Sequence, residues 1–304
     1  MLNIFEWCSG LTSVTIPNSV MSIGNYAFYE CSALTSITIG NGITSIGNYA
    51  FDECSGLKKV KISDIAAWCN IKFEINANPL LYAHHLYLND KEIKDLIIPN
   101  SVTSISRNAF VKCQSFKSVT IPNSVTSIGG CAFSGCSKLT SVTIPNSVKS
   151  IGTEAFYGCS GLTSFTIPNS VTSIGQSAFQ DCSRLTSVTI GNSVTNIGSR
   201  AFAGCDIFNV VSLIENPFSI NGDTFTQNTY FNATLYVPVG TTEKYKATEG
   251  WKDFVFIEEG DITGVNFVEN TKNNKTTIYD LNGVRQSEPK KGINIINGKK
   301  VVVK

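Results

Sequence analysis

Residues 139–161 read LTSVTIPNSVKSIGTEAFYGCSG, and residues 162–184 read LTSFTIPNSVTSIGQSAFQDCSR. The two stretches agree at most positions, and the same pattern recurs along most of the chain. A fixed short period is the signature of a solenoid, in which each repeat forms one turn of a coil. One expanded unit, 57–92, interrupts the series without a loss of phase. We expect regular repeats at 11–33, 34–56, 93–115, 116–138, 139–161, 162–184 and 185–207.

Apolar residues hold fixed positions within each repeat. Val142 and Ile144 alternate with polar residues, which predicts a short strand, and Pro145 ends it because proline has no amide hydrogen to donate. A second short extended piece ends at Gly152, and the segment around Phe156 predicts one helical turn that places the ring in the core. One turn cannot bury these side chains alone, so the sequence predicts an α/β solenoid of mostly short parallel strands stacked turn on turn.

The unit Leu-x-x-Val-x-Ile-Pro-x-x-Val-x-x-Ile-Gly-x-x-Ala-Phe-x-x-Cys resembles the BspA-type leucine-rich repeat of bacterial surface proteins, including those of Bacteroidetes. The resemblance covers about residues 1–257. It implies a right-handed leucine-rich-repeat coil displayed outside the cell. It also implies a role in binding host proteins or other cells.

The repeat decays after residue 207. Residues 208–257 still contain strand-like segments, one ending at Pro238, and a short helix with Trp251, so we expect a C-terminal cap over the open core. EEGDITG then suggests a linker. In the small β tail, 258–304, GINIINGKKVVVK predicts a hairpin with its turn at Asn297-Gly298. The tail resembles the C-terminal sorting module of Bacteroidetes secreted proteins, and a small β-appendage packed beside the cap is the alternative.

The chain composition excludes several classes of protein. With 42% hydrophobic residues a core is available, and a net charge of +1 provides no field to attract nucleic acid or an acidic membrane. No apolar run is long enough to span a membrane. The start, MLNIFEWCSG, matches the end of a repeat and lacks the features of a signal peptide, so we expect that an export signal lay upstream. The apolar turn from Leu2 to Trp7 would also allow self-association.

The cysteines follow the repeat. Stacked in register, neighbouring Cβ atoms would lie about 4.8 Å apart, whereas a disulfide prefers about 3.8 Å. We therefore expect a column of buried free thiols, with Cys131, outside the column, as the best candidate for an exposed thiol. The column consists of Cys8, Cys31, Cys54, Cys113, Cys136, Cys159, Cys182 and Cys205.

No catalytic, metal or cofactor motif is recognisable. The two histidines, His84 and His85, are adjacent, and neighbouring side chains on an extended segment point in opposite directions. The glycines punctuate turns and do not form a phosphate-binding loop. We therefore predict a protein that is not an enzyme and that needs no cofactor or metal ion.

Two surfaces are candidates for ligand binding. The first is a ladder of outward Ser-x-Thr pairs on the first strand of each repeat, and simple solvation by residues that favour strands is the alternative. Its central members are Ser118, Thr120, Ser141, Thr143, Ser164 and Thr166. The second is the expanded unit, since insertions in solenoids often carry recognition, and packing of its rings onto the stack is the alternative. Its candidate residues are Trp68, Phe73, Tyr82, His84 and His85.

These observations predict an extracellular or cell-surface module for binding or adhesion. Its extended repeat surface would contact an unidentified host or cell-surface protein or glycan. The alternative is a structural or self-associating surface protein without a separate ligand.

Overall fold

The structure, a computed structural model, describes residues 5–260 and the backbone of four later strands, Ile278–Tyr279, Arg285–Gln286, Gly292–Ile296 and Lys299–Val303. Residues 5–260 form a β-solenoid of about 11 turns, which confirms the architecture expected from the repeat. Each regular turn contributes one long strand and one short strand. Helices are few and short.

The long strands follow the order of the sequence and form three sheets, with breaks after the strand Lys91–Glu92 and between Ser141–Thr143 and Ser164–Ile167. They are Ser13–Ile16, Ser36–Ile39, Lys59–Ile62, Leu86–Leu88, Asp95–Ile97, Ser118–Thr120, Ser141–Thr143, Ser164–Ile167, Ser187–Ile190, Asn209–Ser212, Thr234–Pro238 and Phe256–Gly260. The short strands are Ser22–Ile23, Ser45–Ile46, Lys72–Phe73, Ser104–Ile105, Ser127–Ile128, Ser150–Ile151, Ser173–Ile174 and Asn196–Ile197. One further strand, Lys91–Glu92, belongs to a hairpin. The helices are α1 (Ile65–Cys69), α2 (Leu80–Ala83), α3 (Gln227–Asn232) and α4 (Thr242–Ala247).

The strand register reproduces the sequence period. Ser118 pairs with Ser141, and Thr120 pairs with Thr143, in parallel strands one repeat apart. The short strands keep the same step, as in the pairing of Ile128 with Ile151. Equivalent positions of successive repeats therefore lie side by side, and columns of equivalent residues run along the solenoid.

The core is built from files of identical side chains. Phe156 is fully buried, and its ring stacks on Phe133 at 5.4 Å and on Phe179 at 5.3 Å between centroids. All ten cysteines are free, and seven members of the expected thiol column are buried, while Cys8 in the first described turn is half-buried. These thiols also make hydrogen bonds: Cys159 Sγ donates to the Phe133 carbonyl oxygen at 3.1 Å, and the same bond recurs at Cys31, Cys54, Cys136, Cys182 and Cys205.

The third side of each turn differs from the helical turn that the sequence predicted. Glu154, ahead of the Ala-Phe pair, has a φ of 57°, in the left-handed region. The Phe156 amide donates to the Ala178 carbonyl of the next repeat at 2.8 Å, and so does not close a helical turn. Hydrogen bonding between turns thus overrides the local helical tendency.

The expanded unit, 57–92, places two strands in the long-strand stack. Leu86 pairs with Val60, 26 residues earlier, and lies 10 residues before Leu96, which pairs with Val119. The chain between Val60 and Leu96 therefore divides into one lengthened turn and a short hairpin. The hairpin reverses at Asn89 and Asp90, both with positive φ, as its tight turn requires.

Helix α1 begins in this unit because the Asp64 side chain accepts hydrogen bonds from the Ala66 and Ala67 amides at 2.7 and 3.1 Å. The stack of short strands is interrupted at the expanded unit. Lys72–Phe73 pairs with the preceding short strand, and Ser104–Ile105 pairs with the following one, but these two short strands do not pair with each other.

Residues 209–260 continue the stack with irregular turns. Phe225 extends the ring file at 5.1 Å from Phe202, and Trp251 is fully buried, with its indole N–H donating to the Phe218 carbonyl at 2.9 Å. The last long strand extends to Gly260, so the linker expected from residue 258 was wrong for its first three residues.

In the tail, Gly292–Ile296 and Lys299–Val303 pair in antiparallel fashion within a four-stranded sheet. The hairpin turn expected at 297–298 lies outside the described residues.

Candidate binding surfaces

The outward side chains of the long strands form what we call the long-strand face. Alternation along each strand sends Val142 toward the core and Ser141 and Thr143 outward. Ser164 and Thr166 are exposed in the next turn. The structure aligns Ser118 with Ser141 and Thr120 with Thr143, and it aligns Ser164 and Thr166 with the following repeat. The strands Ser141–Thr143 and Ser164–Ile167 belong to separate sheets, so the six predicted hydroxyl residues are divided between two parts of this face.

Hydroxyl groups on this face divide into two kinds. Thr140 Oγ1 donates to the Lys117 carbonyl of the previous turn at 3.0 Å, and Thr35 and Thr186 repeat this bond at 3.0 and 3.1 Å. These threonines immediately precede the long strands and hold successive turns together. Within the described residues, the hydroxyls of Ser141 and Thr143 have no protein partner, and neither do those of Thr120, Ser164 and Thr166. The second kind remains available to a ligand.

The columns change character at the expanded unit. Ser118 is half-buried, and its hydroxyl donates to Asp95 Oδ1 at 2.6 Å, so this one predicted site residue is already engaged. Lys61 forms an ion pair with Asp90 at 2.7 Å, and the Lys59 ammonium lies 5.6 Å from the centroid of the Tyr87 ring. An uncharged hydroxyl surface thus borders a band of mixed charge.

Two of the predicted aromatic site residues lie in the core. Trp68 is 1% exposed and Phe73 is 4% exposed, with their rings 5.2 Å apart. The Trp68 indole N–H donates to the Ala109 carbonyl at 2.8 Å. The prediction that these rings serve as exposed anchors was wrong, because they fill the space that the lengthened turn leaves under the interrupted phenylalanine file.

The remaining residues of the expanded unit are partly buried and hydrogen-bonded. Tyr82 donates to Asp52 Oδ1 at 2.8 Å, and burial raises the pKa of Tyr82 to about 12. His84 ends helix α2 with a φ of 58°, and its Nδ1 lies 3.2 Å from the Lys112 carbonyl oxygen. Burial lowers the pKa of His84, which favours the neutral imidazole.

His85 points elsewhere, toward Glu92, whose carboxylate also contacts Lys94. Burial pushes the pKa of Glu92 upward, but hydrogen bonds from Lys94 and His85 lower it overall. The two histidines therefore serve different local contacts and do not form a joint site.

The thiols are poorly suited to nucleophilic chemistry, which requires a thiolate. Burial raises the pKa of Cys54, Cys69 and Cys159 to about 12. Cys131, expected to be exposed, is half-buried, and burial and Glu154 raise its pKa to about 11. Within residues 5–260, no three His, Cys, Asp or Glu side chains are grouped so as to hold a metal ion.

Sequence reasoning missed an open groove of about 840 Å³ beside the first short strands. We call it the short-strand groove, and its polar and aromatic lining consists of Ser22, Asn25, Tyr26, Ser45, Asn48, Lys72 and Glu74. The available signal was a tyrosine at the same repeat position in consecutive units, Tyr26 and Tyr49. The later regular repeats have Asn108, Cys131, Glu154, Ser177 and Arg200 at this position.

None of the helices in the described part of the chain is long and apolar enough to cross a membrane.

Comparison with solved structures shows similarity to several bacterial repeat proteins. The pneumococcal vaccine antigen PcpA has a TM-score of 0.54 at 19% identity, over 82% of this chain and 80% of that one. A T. pallidum leucine-rich repeat protein is 27% identical, with a TM-score of 0.40, over 54% of this chain and 68% of that one. A leucine-rich cell surface protein from Faecalibacterium prausnitzii is 24% identical, with a TM-score of 0.38, over 86% and 82%.

A search of curated proteins found no match. The model of the BspA-type leucine-rich repeat region matches residues 2–75, 83–209 and 150–243, in six copies. These matches together cover well over half of the sequence and contain every regular repeat. The chain therefore belongs to the BspA-type leucine-rich-repeat family.

Proposed function

We propose that this protein is an extracellular or cell-surface binding module and that the long-strand face contacts a host or cell-surface protein or glycan. The observation that supports this most directly is the pair of hydroxyl columns around Ser141 and Thr143. Their hydroxyls have no protein partner in the described part of the chain, whereas those of neighbouring threonines bond the turns together. A hydroxyl both donates and accepts, so a regular array of them offers many weak contacts to a polar ligand.

Two further features support a binding role. The family consists of repeat proteins that bind or adhere, and similarity to a pneumococcal vaccine antigen and to a cell surface protein agrees with display outside the cell. The raised pKa values of the buried thiols leave these groups protonated at neutral pH, which disfavours an enzyme that uses a cysteine nucleophile.

The test is a binding screen of the full chain against immobilised extracellular-matrix proteins and a glycan array. Replacement of Ser141 and Thr143 by lysine should leave folding intact, because Lys59 and Lys61 already occupy these columns. It should weaken binding at least tenfold. The matched control is Thr126→Lys, beside the short strand Ser127–Ile128, where Lys149 of the next repeat shows that this position accepts lysine. Equal binding by both variants would exclude the long-strand face.

Self-association is the alternative role. Phe5 and Trp7 are 38% and 62% exposed, while residues 2–4 of the same turn lie outside the described residues. Light scattering separates the two roles: failure to bind any partner, together with a concentration-dependent oligomer that is lost when Ile4 and Phe5 are made polar, would favour self-association.

We further propose that residues 1–207 form the repeat domain, that residues 208–257 cap it and that residues 258–304 act as a sorting module. Burial of Tyr245 and Trp251 beside the last ring of the file supports the cap. Deletion of 261–304, which keeps the whole last strand Phe256–Gly260, should leave the melting temperature of the solenoid unchanged but abolish export from a Bacteroidetes host. Normal export would exclude the sorting role.

A further inference from the structure

We propose that the short-strand groove is a second binding site, on a different surface from the long-strand face, and that it binds a neutral polysaccharide. Its volume of about 840 Å³ lies within the range of ligand sites. Four features of the groove suit such a ligand: fixed amide donors, hydroxyls without a partner in the described residues, balanced charge and an aromatic edge.

The amide donors of the groove are held in a defined orientation. Asn25 Oδ1 accepts from the Asn48 amide at 2.8 Å, and Asn48 Oδ1 accepts from the Ile75 amide at 3.1 Å. A Cβ at Gly47 would collide with Asn25 Oδ1, so glycine makes room for this arrangement. With each oxygen committed to the backbone, the two Nδ2 groups remain as donors that need little reorganisation on binding.

The other polar groups suit a ligand rich in hydroxyls. Within the described residues, the side-chain hydroxyls of Ser22 and Ser45 have no protein partner. Lys72 and Glu74 form an ion pair at 2.7 Å, so the charged groups of the groove cancel while still offering a donor and an acceptor. Glu74 would repel an anionic ligand, and Lys72 would repel a cationic one. A neutral saccharide, whose hydroxyls donate and accept, satisfies both.

One aromatic side chain, Tyr26, lines the groove, and the rings of Tyr49 and Tyr29 pack against it. Tyr26 is 37% exposed, and its ring stacks on Tyr49 with centroids 5.2 Å apart and an angle of 17°. The edge of Tyr29 meets the same ring at 5.6 Å. The face of an aromatic ring carries partial negative charge and attracts the weakly positive C–H groups of a sugar. Tyr26 is thus a fixed platform for a pyranose.

The backbone at these tyrosines is left-handed, as it is throughout the regular repeats. Tyr26 and Tyr49 have φ values of 54° and 57°, and φ is also positive at the equivalent positions of later repeats, which are Asn108, Cys131, Glu154, Ser177 and Arg200. Side chains of several kinds therefore accept this conformation, and the tyrosine rings are particular to the two turns beside the groove.

The groove is long enough for a polymer. A second cavity of about 470 Å³ shares Lys72 and Glu74 with it and continues to Arg107, across the break in the short-strand ladder. An extended chain of several sugars would fit this path better than a monosaccharide.

The test is affinity electrophoresis of the full chain in gels that contain a neutral polysaccharide: β-glucan, galactomannan, xyloglucan or amylopectin. Polygalacturonate serves as the anionic comparison. At least one neutral polymer should retard the protein. Tyr26→Asn combined with Tyr49→Asn should weaken this binding at least tenfold, and Asn48→Asp, which keeps the acceptor for Ile75 but removes the donor, should weaken it severalfold.

Glu154→Asn is the matched control, because it introduces the same residue at the same repeat position outside the groove. Circular dichroism melting checks that each variant folds. Ser141→Lys with Thr143→Lys should bind polysaccharide normally, which separates this site from the long-strand face. No retardation by any neutral polymer, retardation by polygalacturonate alone, or unchanged binding by the tyrosine variants would overturn the proposal.

Discussion

The regular turns at 116–207 and the expanded unit at 57–92 solve the same packing problem in different ways. In the regular turns, one ring file runs without interruption from Phe110 to Phe225 at spacings of 5.1–5.4 Å. In the expanded unit the file stops at Phe51, and Trp68 fills the core under the lengthened turn. Regular turns share the ring file as a common interface, whereas the expanded unit depends on contacts found nowhere else in the described stack.

The thiols show how far this difference extends. Cys136 donates to the Phe110 carbonyl of the turn before it, as the repeat dictates. Cys113, the first column cysteine after the expanded unit, has Ser115 Oγ as its partner, at 3.2 Å. The same residue in the same column therefore has a different partner because its neighbouring turn differs.

The largest expected effect is loss of stability at alkaline pH. Burial raises the pKa of Cys54, Cys69 and Cys159 from 9.0 to about 12, so these thiols hold their protons more tightly in the folded chain than in the unfolded one. Their contribution is complete below pH 9 and is lost as pH rises from 9 to 12. Each should lower the free energy of unfolding by about 1.4 kcal/mol per pH unit in that window. Chemical denaturation monitored by circular dichroism measures the slope.

Cys159→Ala is the control for this dependence. It should destabilise the protein equally at pH 7 and pH 8. Above pH 9, the free energy of unfolding should fall less steeply with pH, by about 1.4 kcal/mol per pH unit, because one titrating thiol is gone. Cys69→Ala should do the same in the expanded unit. A stability that stays constant between pH 9 and 11 would contradict the effect.

The next effect concerns the ring file. Phe156→Ala should destabilise the protein by about 3–5 kcal/mol, because the substitution leaves a cavity between two stacked rings. Since the file is interrupted at the expanded unit, amide hydrogen exchange should accelerate in the turns next to Phe156 and change least in residues 5–56. Uniform acceleration along the whole stack would show that the expanded unit transmits destabilisation as well as a regular turn does.

A smaller effect should distinguish the expanded unit. Trp68→Phe removes the hydrogen bond to the Ala109 carbonyl, which still accepts from Asn78 Nδ2 at 3.2 Å, and should cost about 1–2 kcal/mol. Trp251→Phe removes a similar bond near the C-terminal end. Exchange should increase around 65–110 in the first variant and around 218–256 in the second. The reverse pattern would mean that neither indole hydrogen bond stabilises the region in which it lies.

The sequence predicts the regular turns well because each position has one environment, repeated along the stack. The burial of Phe156 and Cys159 follows directly from their spacing. Trp68 was misplaced because a ring in an insertion can face either solvent or core. The only sign of a gap to fill is that the sequence has no Ala-Phe pair between Phe51 and Ala109. The short-strand groove was missed because Tyr26 and Asn25 look like variable surface residues until stacking aligns them with the next turn.

The smallest effect separates the hydroxyl columns of the regular turns. Thr140→Val preserves shape but removes the bond to the Lys117 carbonyl, and should cost about 0.5–1 kcal/mol. Thr143→Val, three residues away, removes a hydroxyl without a protein partner and should change stability by less than about 0.5 kcal/mol. Lysines occupy the Thr140 position at Lys58, Lys94 and Lys117, so turns near the expanded unit already lack this bond. Equal losses in the two valine variants, measured by urea denaturation, would mean that the Thr143 column also stabilises the stack and is not reserved for a ligand.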